Sequence, residues 1–200
     1  LHISIASPAM NGVGTPVAGI TTDYDGDLRN VTTPDIGADE YTPLGCASAG
    51  GGTISPSSIS ACNGQFVTMN AVGADVGAGI TYTWEISSTG GGVGFSPVVT
   101  GSGFNTVNYT TAALSTGTYY YRLKVDCSNG PVTGYSNEVQ VTVATPLSGT
   151  YLIDNTGAGD YLSFAAALAD LGCKGIGGPV TFNVTAGQVF NEASNLECTF

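Results

Sequence analysis

Three aspartates in one short stretch have the spacing of ligands for a hard cation. Asp23, Asp25 and Asp27 alternate with Tyr24 and Gly26. Carboxylate oxygens at positions i, i+2 and i+4 suit Ca²⁺, and the glycine lets the backbone turn around an ion. The full EF-hand pattern is absent, because no glutamate stands at the twelfth position of the loop. Two interpretations stay open: a calcium site, or a structural cluster in which the acids pair with Arg29 and with backbone amides.

Catalysis by these acids is disfavoured by their neighbours. Six of the fifteen acidic residues lie between Asp23 and Glu40, against the single base Arg29. Carboxylate-dependent sugar chemistry needs an acid–base pair at the scissile bond, and no Lys or His accompanies the cluster. The only histidine, His2, stands at the edge of the sequence. We therefore predict no catalytic residue, and no cofactor other than calcium.

The composition excludes several classes of partner. Fifteen acidic residues face four basic ones, for a net charge of −11, which argues against nucleic acids and anionic membranes because both attract Lys and Arg. No apolar run reaches the length of a membrane span. With 42% hydrophobic residues the chain can still bury substantial cores. We expect an extracellular all-β protein, of which this sequence is a piece.

Five runs between residues 61 and 143 alternate apolar and polar residues with the period of half-buried strands. They are centred on residues 67–71, 80–86, 107–109, 119–125 and 139–143, with glycine- and serine-rich turns between them. Short, evenly spaced strands with one Trp, Trp84, predict a two-sheet antiparallel sandwich. The alternation places Tyr119 and Tyr121 in the core and leaves Tyr120 alone outside.

Five cysteines without a CxxC pair predict disulfides of an exported protein, not a metal site. Strand alternation puts Cys127 in the inward phase, Cys46 at the same end of the sandwich and Cys62 at the opposite end. This favours Cys46–Cys127, with Cys62–Cys127 a close rival. Cys173–Cys198 is a separate prediction, and the odd count leaves at least one thiol unpaired within this sequence.

The last fifty residues have a mixed pattern. Residues 149–153 and 180–184 are predicted strands, and between them a helix is predicted over 161–171. Asp160 is the predicted N-cap and Gly172 the predicted C-terminal stop. At the other end of the chain, Leu1, Ile3 and Ile5 alternate as a strand does.

Three segments resemble domains of large secreted bacterial surface proteins. The stretch "SPAMNG…DYDGDLRN…PDIGADEY" is similar to the closing coils of right-handed parallel β-helix domains, and the resemblance implies that Arg29 pairs with the acids of a terminal cap. "ACNGQFVTMNAVG…GITYTWEISS…YYYRLKVDC" resembles the immunoglobulin-like repeats of adhesins exported by the type nine system; either Tyr119 or Tyr121 then suits a tyrosine corner. "GTYLI…DYLSFAAALADLGCKGIGGPVTFNV" resembles the opening of the same β-helix family, where the short helix plugs the first coil.

Together these features predict three domains. Residues 1–45 form the C-terminal coils and cap of one β-helix, 46–145 an immunoglobulin-like β-sandwich, and 146–200 the cap helix and first strands of a second β-helix. The expected function is a non-catalytic structural or adhesive segment of a cell-surface protein or filament. Its expected partners are neighbouring domains of the same chain, with surface glycans or other surface proteins as adhesive ligands. The alternatives are a carbohydrate-binding module, reading sugars through loops 87–94 or 128–135, and a non-catalytic part of a β-helix polysaccharide-active enzyme.

Overall fold

The computed structural model describes residue 10 and residues 12–40, 46, 48–128 and 132–192. Eleven strands and one helix lie in these ranges. In chain order they are β1 (Thr53–Ile54), β2 (Ser58–Ala61), β3 (Thr68–Val72), β4 (Ile80–Ser87), β5 (Ser96–Pro97), β6 (Asn108–Thr110), β7 (Gly117–Cys127), β8 (Val132–Tyr135), β9 (Val139–Val143), β10 (Leu147–Ile153), α1 (Phe164–Lys174) and β11 (Ile176–Val184). The protein is mostly β, as the sequence predicts.

Two sheets in residues 48–143 enclose one hydrophobic core. The smaller sheet has the order β1-β3-β6 and is antiparallel throughout. The larger has the order β2-β9-β7-β4-β5, with β8 paired to the second half of β7. Its pairs are antiparallel except β2–β9, which is parallel. The core cluster draws buried residues from both sheets, so each sheet covers the apolar face of the other.

Trp84 lies at the centre of this core and is fully buried. Its ring stacks on Tyr109 of the opposite sheet, with 5.4 Å between ring centroids, and Tyr109 in turn lies 5.9 Å from Tyr121. The indole Nε1 donates to the Thr106 carbonyl at 2.8 Å, so burying the ring leaves no polar atom without a partner. The predicted alternation is confirmed along β7, where Leu123 also has no exposed surface.

Polar side chains fasten the margins of the two sheets. The Tyr119 hydroxyl donates to the Ser115 carbonyl at 2.9 Å, which is the strand-to-loop tie predicted for Tyr119 or Tyr121. Asn137 pairs with both backbone groups of Ile54: its Oδ1 accepts from the Ile54 amide at 2.7 Å and its Nδ2 donates to the Ile54 carbonyl at 3.0 Å. Asn137 precedes β9 and Ile54 lies in β1, so this side chain connects one sheet to the other.

Residues 147–184 form a second unit, in which β10 and β11 pair in parallel and α1 connects them. Ala167 and Leu171 form the buried face of α1, and Leu147 and Ile153 are buried in β10. The predicted strands are both present and start earlier than expected, by two residues for β10 and four for β11. α1 is the one described helix, and it is too short to cross a membrane.

The predicted ends of α1 are wrong by three residues. The helix begins after Ser163, whose hydroxyl accepts the Ala166 amide at 3.1 Å. Asp160 does not cap it, because its carboxylate accepts the Leu152 amide of β10 at 2.8 Å. Gly172 lies inside the helix, and the C-cap is Gly175, which has the positive φ that favours glycine. The sequence offers Asp160 or Ser163 as the N-cap and Gly172 or Gly175 as the C-cap. Contacts of Asp160 and Gly175 with β10, outside the helix, go with the choice of Ser163 and Gly175.

Two disulfides cross-link the described chain. Cys46–Cys127, with 5.7 Å between Cα atoms, confirms the favoured prediction. Cys62 pairs with Cys173 at a Cα separation of 4.7 Å. This pairing contradicts both Cys62–Cys127 and Cys173–Cys198. Both predictions kept partners within one predicted domain, whereas the fold brings the end of β2 to the end of α1.

Several predictions fall on residues outside the described ranges. They are the strand at Leu1, Ile3 and Ile5, the position of His2, and the state of Cys198. Within residues 12–40 the described chain consists of turns and one isolated antiparallel bridge between Thr22 and Leu28.

Replacing Trp84 tests the centre of the core. Trp84→Ala is expected to lower the free energy of unfolding of the sandwich by about 3–5 kcal/mol, because it removes the largest buried ring. Trp84→Phe keeps an aromatic ring against Tyr109 but leaves the Thr106 carbonyl without its donor, for a loss of about 1–3 kcal/mol. Val99→Ala, at a side chain 87% exposed, is the control and should change stability by less than about 0.5 kcal/mol. Urea unfolding measures all three; equal losses for the two Trp84 variants contradict the contribution of the buried ring, and an unchanged stability in Trp84→Phe contradicts that of the assigned hydrogen bond.

Candidate functional site

The acidic loop of residues 23–40 was the first candidate, and the structure shows what its acids contact. One carboxylate oxygen of Asp23 accepts the amides of Asp25 and Asp27, at 2.9 and 2.8 Å. The other accepts the Glu40 amide at 2.9 Å. Donation by the Glu40 amide, and then by those of Asp27 and Asp25, holds the pKa of Asp23 below its ordinary value. Asp23 therefore acts as an acceptor that closes a turn and joins the two ends of the loop.

Arg29 fills the other side of this loop. Its two terminal nitrogens donate to the carbonyls of Gly37 and Asp35, at 2.9 and 2.7 Å. Its Nε lies 3.4 Å from Glu40 Oε2, and the Glu40 carboxylate also accepts the Asn30 and Asp35 amides. The pairing of Arg29 with an acid of this stretch, which the family resemblance implied, is confirmed for Glu40. The guanidinium thus ties Arg29 to the segment 35–40 through two carbonyls and one carboxylate.

The three aspartates are not gathered around a common centre by these contacts. Both Asp23 oxygens face amide donors, and among the described residues no group of three or more His, Cys, Asp or Glu side chains is placed to hold a metal. The arrangement corresponds to the second of the two sequence interpretations, a cluster tied to backbone amides and Arg29. Calcium binding at Asp23, Asp25 and Asp27 stays a prediction.

A shallow groove of about 410 Å³ lies beside the same loop. Its polar lining residues are Thr15, Thr21, Arg29, Asn30 and Asp35, and Val17, Ile20 and Val31 contribute exposed apolar surface.

A second cluster, centred on Arg122, lies on the outer face of the larger sheet. The Arg122 guanidinium is stacked between two rings, 4.0 Å from the centroid of Phe95 and 3.9 Å from that of Tyr135. Its Nε and one terminal nitrogen both donate to Glu85 Oε2 at 2.8 Å. Neighbouring strands supply Arg122 and Glu85, which are cross-strand partners of β7 and β4.

Sequence reasoning missed the Arg122 cluster. Alternation along β7 does place Tyr120, Arg122 and Lys124 on the outer face, and that is the available signal. Phe95 comes from a loop, which has no periodic pattern. Tyr135 comes from β8, and only the pairing of β8 with β7 places it near Arg122. Tyr135 remains 46% exposed, so Tyr120 is not the only aromatic outside the core. The guanidinium covers one face of each neighbouring ring, which reduces the aromatic surface left for a sugar.

The loop at 87–94, one of those considered for sugar recognition, uses its donors internally. The Ser87 hydroxyl oxygen accepts the amides of Thr89 and Gly90 and donates to the Val93 carbonyl at 2.8 Å. The Glu138 carboxylate accepts the amides of Gly91 and Gly92, at 2.9 and 2.6 Å. These glycine amides bind a carboxylate of the same chain, in a turn between two strands. The other loop, 128–135, lies partly outside the described residues.

Comparison with known proteins gives little functional information. Residues 50–145 match the family model described as "Domain of unknown function (DUF8696)". No curated protein matches the sequence. One solved structure with similarity is a nucleoside hydrolase-related hypothetical protein from Saccharophagus degradans that is associated with carbohydrate metabolism. It is 22% identical over 44% of this chain and 22% of that chain, with a TM-score of 0.32. A similarity of this size carries no conclusion about fold or activity.

The pH dependence of the acidic loop tests the role of Asp23. Because its pKa is lowered in the folded protein, its contribution to stability is present above the ordinary carboxyl value of about 3.9 and is lost as the pH falls through the depressed value. The amide proton shifts of Asp25, Asp27 and Glu40 should therefore move together, with a midpoint below about 3.9. Asp23→Asn is the control and removes this common transition.

The same amide signals separate the two interpretations of the loop. If the cluster is purely structural, addition of Ca²⁺ at neutral pH leaves them unchanged, since both Asp23 oxygens already accept amides. A saturable shift at Asp25 and Asp27, together with a melting temperature that rises with Ca²⁺ and falls with chelator, would establish the calcium site instead.

Substitution of Arg122 tests the outer-face cluster. Arg122→Lys keeps the charge but loses the planar stacking and the double contact with Glu85, so the free energy of unfolding should fall by about 1–2 kcal/mol. Lys124→Gln is the matched control on the same strand: Lys124 and Asp126 are 29% and 32% exposed, and such a surface pair contributes less than about 1 kcal/mol. Urea unfolding compares the two; a larger loss in the Lys124 variant contradicts the importance of the stack.

Proposed function

We propose that this chain is a structural segment of a large exported bacterial cell-surface protein, in which an immunoglobulin-like sandwich separates two β-helix modules. The observation that carries the proposal is the presence of two disulfides in the described chain. One lies within the sandwich region, and the other joins the sandwich to the following unit. Disulfides persist in oxidising surroundings outside the cytosol. The polar clusters analysed above use their donors and acceptors for internal contacts, as expected of a scaffold.

The order of the strands supports an immunoglobulin-like arrangement of residues 46–145. Immunoglobulin sandwiches place strands A, B and E in one sheet and C, F and G in the other. Here β1, β3 and β6 form the first group, and β4, β7 and β9 the second. Trp84 then lies on strand C, and Tyr119 near the start of strand F bonds back to Ser115, as a tyrosine corner does. The disulfide differs, because Cys127 at the end of β7 pairs with Cys46 before β1.

The β10–α1–β11 unit supports a β-helix after the sandwich. A parallel pair of strands is normally covered on both faces or extended by further strands. β11 is largely exposed, with Ile176 56% and Val184 43% exposed, while α1 covers β10. Such a pair is suited to continue into a parallel solenoid, for which α1 is the cap. For residues 12–40, the support is the Arg29 tie across the loop, which suits a terminal cap.

A carbohydrate-binding module is the second candidate function. The exposed ring of Tyr135 beside Arg122 favours it, since aromatic and charged groups together suit sugar recognition. The internal use of loop 87–94 weighs against it. A third possibility, a non-catalytic part of a β-helix polysaccharide-active enzyme, rests on the proposed solenoids alone.

Antibody labelling of intact cells tests the proposed location and role. Antibodies against residues 50–145 should label the surface of unpermeabilised source cells and detect a protein far larger than this chain of 20.1 kDa. External protease should remove the signal while a cytosolic marker persists. Labelling only after permeabilisation contradicts the proposal. A glycan array with the wild-type chain and a Tyr135→Ala variant tests the second candidate: we expect no bound glycan, and binding lost in the variant would establish the carbohydrate site.

A further inference from the structure

The junction between the sandwich and the C-terminal unit contains two covalent connections that start from adjacent strands. β2 and β9 are parallel neighbours, and Ala61 at the end of β2 is in register with Val143 at the end of β9. The main chain leaves β9 through residues 144–146. One residue beyond the end of β2 stands Cys62, which leaves the sandwich through its disulfide. Both connections therefore depart from the same end of the larger sheet, about one strand spacing (~4.8 Å) apart.

The two connections also arrive close together, one at the start of β10 and one in the last turn of α1, just before β11. Residues 144–146 lead into Leu147, the first residue of β10, which is in register with Ile176 at the start of β11. The disulfide arrives at Cys173, three residues before Ile176. The Asn63 amide donates to the Cys173 carbonyl at 3.0 Å, and the Leu147 amide donates to the Gly175 carbonyl at 2.9 Å. β9 thus continues into β10 through peptide bonds, and the end of β2 is joined through sulfur to the last turn of α1, three residues before β11 begins.

The hydrophobic cores do not continue through this junction. The core cluster of the sandwich consists of residues between Ala49 and Val143. The buried apolar residues of the C-terminal unit, Leu147, Ile153, Ala167 and Leu171, lie outside that cluster. Neighbouring units move relative to each other unless a large apolar interface joins them. Packing alone therefore does not fix how these two units are oriented.

We infer that residues 144–146 and the Cys62–Cys173 disulfide are two parallel connections that hold the sandwich and residues 147–184 together as one rigid body. A single three-residue connection allows the second unit to swivel about its own axis. A second connection beside it prevents that rotation, because rotation of one unit would change the distance that at least one of the two connections must span. This inference concerns the mechanics of the junction and holds whether or not the chain belongs to a cell-surface protein.

Rotational diffusion measured by ¹⁵N relaxation tests the locked junction. In the wild-type chain, amides of the sandwich and of residues 147–184 should share one correlation time. In Cys62→Ala/Cys173→Ala, both units stay folded, and the correlation time of residues 147–184 becomes roughly two-fold shorter than that of the sandwich, as expected for a small unit on a flexible connection. Replacing both cysteines also prevents Cys198 from pairing with a released thiol.

The matched control is Cys46→Ala/Cys127→Ala, which removes the other disulfide. It should lower the unfolding temperature of the sandwich and leave a single correlation time for both units. A second variant inserts Gly-Ser-Gly-Ser after Thr145 and keeps the Cys62–Cys173 bond; the two units should then tumble together more closely than in the Cys62/Cys173 variant.

Three results would overturn the inference. The first is separate correlation times in the wild-type chain. The second is a single shared correlation time in Cys62→Ala/Cys173→Ala. The third is loss of the dispersed amide signals of residues 147–184 in that variant, which would show that the disulfide is needed to fold the unit and not only to orient it. None of these results bears on cell-surface labelling, so failure here is distinguishable from failure of the proposed function.

Discussion

The stacking of Trp84 on Tyr109 is the contact on which the sandwich depends, because it joins the two sheets at the centre of their shared core. Trp84 belongs to β4 in the larger sheet and Tyr109 to β6 in the smaller. Tyr121, next to Tyr109, extends the same layer to β7. Once these rings are buried, the alternate residues of the same strands must face outwards. The positions of Glu85 and Arg122, which alternate with these buried residues, follow from that constraint.

The outer surface shows how a chain with four basic residues uses its few cations. Arg122 pairs with Glu85, Lys124 with Asp126, Lys174 with Asp170 and Arg29 with Glu40. In the loop, Arg29 also binds two carbonyls, and in the sheet Arg122 separates two aromatic rings. Arg29 and Arg122 therefore join separate segments of the chain, whereas Lys124 and Lys174 pair with acids of their own strand or helix. The remaining acids give the chain its net charge of −11.

The C-terminal unit depends on a different set of contacts. A parallel pair of strands offers little buried surface by itself, and α1 covers only one side. Asp154, directly after β10, adds polar contacts, because its carboxylate accepts hydrogen bonds from Thr156 and Thr185. These hydrogen bonds, and the one from Thr156 most of all, lower the pKa of Asp154. Glu192 accepts the amides of Phe164 and Ala165 at the start of α1. These contacts organise the unit from within, whereas residues 144–146, the Cys62–Cys173 disulfide and the Asn63–Cys173 hydrogen bond connect it to the sandwich.

The sequence by itself determined the all-β class, the strands at 80–86, 119–125 and 139–143, and the inward side of each, because a period of two leaves only one way to bury Trp84 and Leu123. Alternation favoured the pairing of Cys46 with Cys127 but left Cys62–Cys127 as a rival, and the family resemblance left the tie open between Tyr119 and Tyr121; the structure decided both. The tertiary structure decided the rest. Asp160 and Ser163 are equally suited to cap a helix. In the fold, the Asp160 carboxylate accepts the Leu152 amide, and Ser163 caps α1. The partner of Cys62 depended on β2 lying parallel to β9, a pairing between residues about eighty positions apart that no local pattern specifies. Phe95 reached Arg122 for the same reason: a loop residue has no period, and only the closed fold brings it to the sheet.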